Sequence, residues 1–324
     1  MRQVSYKAQK NLVKNIIFLD GLNRSGKLLL GSLVSSLKNM ESLEFGENFE
    51  HFLPAMKFQH VSSNFSKSFL MNYLNQLIYN KMISRNSNFR PYDRTGIPRF
   101  HSPKIYKKRL KMKEGDIVIK RIKTSNFFLP IVTHDLMSNY NELNKLNIKF
   151  SIIQIFRNPF ELVYSWYKAG LGKRWGKDPR IFSLTINKNK ENFPWYVYDR
   201  KVTKDFKKLN QIEKCSIYVN SQIERTIKNL RKLKFKKNLY ITDYFYLVEN
   251  PHKELKNIAK FLKTNFSRDT KKHVKREKCP NLKIRNLLER KKTFIKKKVK
   301  KEIFIKLLDN EKKYRNNIYN LRKF

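Results

Sequence analysis

The chain has 324 residues, 40% of them hydrophobic, enough to bury a full core in one large domain or in one domain with an appendage. Lys and Arg number 72 against 26 Asp and Glu, a formal charge of +46, so the surface attracts anions: nucleotides, acidic glycans, nucleic acid or anionic lipid. Cys215 and Cys279 are far apart in no metal-ligand spacing, which argues against a disulfide framework or a zinc site, and no apolar run reaches the roughly 18 to 20 residues of a bilayer span. The first fourteen residues are polar and carry no secretory core, so a soluble, cytoplasmic protein is expected, with a basic surface able to lie against anionic lipid.

In chain order, Ile16, Ile17, Phe18 and Leu19 form a short continuous apolar run, the pattern of a strand buried on both faces of a parallel sheet. The chain then turns through Gly21 and Gly26, after which Leu30, Leu33, Val34 and Leu37 recur at helical steps. A loop between strand and helix aims backbone N–H groups and the positive helix end at one point, and Arg24, Ser25 and Lys27 add donors there. Residues 42–45 read as a brief second strand, followed by an acidic patch of Glu47 and Glu50 with His51. Residues 61–83 carry a helical stripe, and residues 86–108, with three prolines and a glycine, read as a long loop.

Ile117, Val118 and Ile119 read as a third buried strand, with a crossover helix expected over residues 128–146. Residues 150–156 form the clearest strand of the chain, ending at Arg157; Asn158 then suits a helix cap and Pro159 the first helical position. Residues 239–242 make a fifth strand, and Asn250-Pro251 opens a further helix. The alternation predicts an α/β fold with a central parallel sheet of about five strands flanked by helices, its ligand sites at the carboxyl ends of the strands. Residues 1–280 are expected to form this domain and residues 281–324 a basic helical C-terminal extension.

Two patterns fit the first loop. As GxxxxGK[ST], Gly21, Gly26 and Lys27 fit a nucleoside-triphosphate P-loop, except that Leu28 stands where a hydroxyl would hold magnesium. As GLNRSGKLLL, the loop resembles the GxxRSGTTLL loop of the sulfotransferases, with Lys27 and Leu28 in place of two threonines. The stretch Arg157-Asn158-Pro159 followed by Ser165-Trp166-Tyr167 resembles that family's RNPxxxxxSWY element, and residues 242–262 resemble its later strand-and-helix block.

The resemblance implies a P-loop-like fold and in-line, metal-independent transfer of a sulfuryl group from 3′-phosphoadenosine 5′-phosphosulfate to a hydroxyl or amine of a carbohydrate or small metabolite. It implies that Asn23, Arg24, Ser25, Gly26, Lys27 and Leu28 hold the 5′-phosphosulfate, Arg24 and Lys27 offsetting charge on the leaving phosphate, and that Arg157 and Ser165 hold the 3′-phosphate. Cytosolic relatives use a histidine after the third strand, where Lys120, Arg121 and Lys123 offer none; by the glycan-modifying pattern the general base falls among Glu47, Glu50 and His51, with Lys120 facing the sulfuryl oxygens. The family's basic loop near the C-terminus is loosely echoed by Lys275-Arg276-Glu277, and residues 168–195, rich in aromatics and cations, are expected to shape the acceptor pocket. The alternatives are a P-loop kinase or NTPase, a basic polyanion-binding or nucleic-acid-binding protein, and a sulfotransferase fold that no longer turns over; no DNA-reading module is recognisable.

Overall fold

Successive side chains of a strand point to opposite faces, and the first strand uses both for core. In the computed structural model, β1 (Asn15–Gly21) directs Ile16 and Phe18 into one apolar cluster and Ile17 and Leu19 into another. The structure describes residues 5–175, 178–188, 190–199, 206–232 and 237–321. Five strands, β1 with β2 (Glu44–Phe45), β3 (Phe128–His134), β4 (Ser151–Phe156) and β7 (Leu239–Asp243), form a parallel sheet in the order β2-β3-β1-β4-β7. The remaining strands, β5 (Thr185–Lys188) and β6 (Glu191–Pro194), pair as a separate antiparallel hairpin.

Helices cover both faces of the large sheet. The cluster around Ile16 and Phe18 takes in Phe49 and Leu53 of α2 (Glu47–Lys57) and Leu70 and Leu74 of α3 (Ser63–Met82). The cluster around Ile17 and Leu19 takes in Leu30 and Leu33 of α1 (Lys27–Val34) and Leu255 and Ile258 of the helix Pro251–Leu262. The far end of α1 is closed by a remote stretch of chain. Asn265 O accepts from the Lys38 N–H at 2.8 Å, Thr264 Oγ1 donates to Lys38 O at 2.8 Å, Thr270 Oγ1 donates to Ser36 O at 2.8 Å, and Ser32 Oγ donates to Glu277 at 2.9 Å.

Two expectations are corrected. Residues 117–119 belong not to a strand but to helix α5 (Asp116–Thr124), which follows α4 (Pro103–Arg109), itself beginning within the expected long loop. Val118 and Ile122, four apart, are buried while Ile117 is 62% exposed, so one face is apolar rather than two. The third strand in sequence is instead β3, where a crossover helix was expected; a proline at position 130 sits badly in a helix interior but is accommodated there. Between β3 and β4 lie only a 3-10 turn (Met137–Asn139) and the short α6 (Tyr140–Lys145). Lys120 consequently lies exposed on α5, not at the mouth of the sheet.

After β4, Asn158 caps α7 (Pro159–Lys168) by accepting from the Phe160 N–H, with Pro159 in the first turn. A third apolar cluster joins α7 to the helix Gln211–Lys232 and to two late helices, Leu288–Lys296 and Lys301–Leu321, which bury Ile295 and Leu307 against Phe160 and Val219. Among the described residues, no helix is long and apolar enough to cross a membrane.

Candidate active site

The strand order places the carboxyl ends of β1, β3 and β4 side by side, where an open α/β sheet presents its ligand crevice. Loop 21–27 leaves β1 in an unusual backbone path: Arg24 (φ 72°) and Gly26 (φ 100°) both occupy the left-handed region. A Cβ on Gly26 would lie 2.4 Å from the Tyr244 ring, so glycine is required on two counts. The first-turn N–H groups of α1 lack partners within the helix and face the loop, where no capping side chain covers them.

Three contacts lash α7 and the end of β4 to this loop. Trp166 Nε1 donates to Asn23 O at 2.7 Å, Arg24 Nε to Ser165 Oγ at 3.1 Å, and Arg157 Nη1 to Arg24 O at 2.9 Å. The Arg157 guanidinium lies 4.3 Å from the Tyr244 ring centroid, and its Nη2 donates to Glu161 at 2.7 Å. Two polar atoms here are buried with no partner among the described residues: Ser25 Oγ and Arg157 Nε. Native structures rarely leave such donors idle, and both belong to residues that sequence reasoning assigned to an anion.

Lys27 is oriented differently from its neighbours. It is 4% exposed, and its Nζ donates to Gly21 O at 2.9 Å and Leu22 O at 2.7 Å, so its charge lies under the loop. Burial pulls its pKa down to about 8 against the attraction of Asp135, Asp20 and Glu50. Asp20 accepts from Thr133 Oγ1 at 3.0 Å and from the N–H groups of Leu136 and Met137 at 3.0 and 2.9 Å, tying the end of β1 to that of β3; burial raises its carboxyl above the ordinary value. Burial likewise pushes Asp135 up to about 6, although Tyr218 OH donates to it at 2.5 Å and Lys27 lies near. Leu28 packs its side chain against the second cluster, leaving no hydroxyl where a P-loop would place one.

A cavity of about 320 Å³ opens on the loop, lined by Asn23, Arg24, Gly26, Lys27, Leu28, Arg157 and Tyr244, and also by His134. His134 ends β3 and was not among the expected site residues, because its strand was read as a helix. A run of Leu129, Pro130, Ile131 and Val132, too short and proline-broken for a helix, was the signal that could have exposed it. Glu50 accepts from the His134 N–H at 2.7 Å and lies 2.8 Å from its Nδ1, which leaves Nε2 as the nitrogen able to take a proton. Glu50 is therefore beside the cavity through His134, while Glu47 is exposed at the start of α2 and His51 Nε2 is engaged 2.9 Å from Phe182 O.

The opposite wall is built from Arg94, Glu277 and Lys278, so the segment after Lys275-Arg276 does reach the cavity. Glu277 is held by Ser32 at 2.9 Å and by Arg99 at 3.1 Å, with Arg94 at 3.6 Å. Within residues 168–195, Trp175 and Trp195 are buried in the third apolar cluster, Trp195 beneath the Arg225 guanidinium, so their faces are not open to a sugar. Gly176, in the same stretch, lies outside the described residues.

No curated protein matches the chain. Among solved structures, the sulfotransferase domain from the curacin biosynthetic pathway is 12% identical, with 81% of this chain and 77% of that one covered and a TM-score of 0.43. The sulfotransferase domain of the Synechococcus PCC 7002 olefin synthase is 16% identical, with 83% and 79% covered and a TM-score of 0.41. A sulfotransferase from Mycobacterium avium is 12% identical, with 82% and 68% covered and a TM-score of 0.41. The family model described as the sulfotransferase domain matches residues 14–317, nearly the whole chain, and the chain therefore belongs to the sulfotransferase family of enzymes.

Proposed function

We propose that the chain moves a sulfuryl group from 3′-phosphoadenosine 5′-phosphosulfate to a hydroxyl or amine of a carbohydrate or small-metabolite acceptor, by in-line transfer without a metal. The observation that carries this reading is one cavity that joins the loop 21–27 donors to His134, whose Nδ1 is held by Glu50. Arg24 and Arg157, which line the cavity, and the loop N–H groups are donors suited to a nucleotide carrying two separate anionic groups. In this reading loop 21–27 holds the 5′-phosphosulfate, and Arg157 with Ser165 the 3′-phosphate. The apolar Leu28 supports transfer without magnesium.

The chemistry requires a base, and His134 fits the part. Glu50 fixes its tautomer through Nδ1, so Nε2 accepts the acceptor proton as the new O–S bond forms and the bond from sulfur to the 5′-phosphate breaks. Arg24 and the loop N–H groups offset the charge left on the phosphate. Lys27, by its position, supports the loop from below and holds Gly21 and Leu22 in place.

The test is calorimetry with the spent donor, 3′-phosphoadenosine 5′-phosphate, in the absence of metal. Micromolar binding, roughly −8 kcal/mol, that collapses in Arg157→Ala is the expected result. Binding of ATP only with magnesium, and none of the 3′-phosphorylated nucleotide, would replace this reading with an NTPase.

A further inference from the structure

Arg157 does not stand alone over the cavity. Four residues on, Glu161 is a carboxylate whose side chain is 1% exposed, and it bridges two cations. Oε2 accepts from Arg157 Nη2 at 2.7 Å and Oε1 accepts from Lys291 Nζ at 2.6 Å. Lys291 comes from the helix Leu288–Lys296, more than a hundred residues later, which is seated on α7 through the buried Ile295 and through an edge contact of Phe294 with Tyr164 at 5.5 Å. The ammonium also lies 5.4 Å from the Tyr164 ring.

A carboxylate beside an arginine prefers to take it with both oxygens, in a fork that would engage Nη2 and Nε together. That fork is absent here because Lys291 occupies Oε1, and Arg157 Nε is left buried and unpartnered. The arginine is thereby oriented by Glu161, Arg24 O and Tyr244 while one donor is held in reserve, and two cations against one anion leave the group with net positive charge.

We infer that Lys291 is a positioning residue for donor binding: by occupying one oxygen of Glu161 it keeps the ion pair of that carboxylate with Arg157 to a single oxygen and shares its negative charge. This rests on the donor assignment proposed above. It gives the basic C-terminal segment a specific part in nucleotide recognition that requires no contact with the nucleotide.

The experiment measures Kd for 3′-phosphoadenosine 5′-phosphate and for adenosine 5′-phosphate, which lacks the 3′-phosphate, on the full chain. In Lys291→Met, binding of the first weakens by about tenfold and binding of the second is unchanged, since only the 3′-phosphate meets Arg157. Lys291→Arg restores the preference. Glu161→Gln tightens binding of the 3′-phosphorylated nucleotide, because the amide still accepts from Arg157 and carries no charge, and in that background Lys291→Met no longer matters. An unchanged preference in Lys291→Met, or an equal loss in the Glu161→Gln background, overturns the inference while leaving the donor assignment intact. A wild type that fails to distinguish the two nucleotides removes the donor assignment itself, and the inference with it. Should Lys291→Met not fold, Glu161→Gln decides alone: tighter binding supports the inference and weaker binding overturns it.

Discussion

His134 and Glu50 are held together twice, once through the backbone N–H of His134 at 2.7 Å and once at 2.8 Å from its Nδ1. The double contact fixes both the ring's anchor and its tautomer, which leaves Nε2 as the ring's proton-accepting nitrogen in the proposed transfer. His134→Gln should lower kcat by about 10²–10⁴-fold while leaving the Kd for 3′-phosphoadenosine 5′-phosphate unchanged. Glu50→Gln should cost less in rate and displace the pH profile of kcat/KM. Steady-state kinetics beside calorimetry check both, and weakened nucleotide binding in His134→Gln would place the histidine in the cradle instead.

Gly26→Ala meets two obstacles: a φ of 100° and a Tyr244 ring 2.4 Å from the new Cβ. The displaced ring withdraws the face against which Arg157 lies, so nucleotide affinity should fall along with about 1–3 kcal/mol of stability. Gly26→Ala with Tyr244→Ala removes the clash but not the backbone strain. Thermal melts should therefore recover only part of the loss.

Lys27→Met removes the cation beneath the loop and strands Asp20 and Asp135 in the interior. Loss of one partner of a buried ionic group costs about 3–5 kcal/mol, read as a shift of the denaturant midpoint. Adding Asp135→Asn should return part of that stability by removing one of the stranded charges.

Asp135 sets a pH dependence with a definite sign. Its pKa is about 6 when folded against an ordinary 3.8, so within that window the folded chain holds a proton that the unfolded chain has released. Its contribution to stability therefore falls as pH rises through the window. The Tm advantage of wild type over Asp135→Asn should be larger at roughly pH 4 than at roughly pH 7.

Most of the sheet is legible in the residues themselves, because β1 and β4 are short apolar runs bounded by glycine, asparagine and proline, whose local meanings survive folding. The cap at Asn158 and the turn at Gly26 are readable for the same reason. The third strand is not, because Ile117, Val118 and Ile119 look more strand-like than a run containing Pro130, and only the burial of Val118 with Ile122 shows the helical period. His134 was lost along with its strand, and its partner Glu50 lies 84 positions away, beyond the reach of any spacing rule. The orientation of Lys27 is equally hidden: a lysine after a loop glycine reads as an anion ligand until its Nζ is found donating to Gly21 O and Leu22 O beneath the loop.

The bonds that close the far end of α1 join residues separated by 226, 234 and 245 positions. Such contacts reward the chain only after very long loops have been closed, which places them late on any folding route and raises the contact order of the whole domain. The helix whose N-terminus faces the proposed anion cradle is thus anchored by some of the last contacts to form. Secondary structure should return quickly on refolding, and nucleotide-binding competence should trail it.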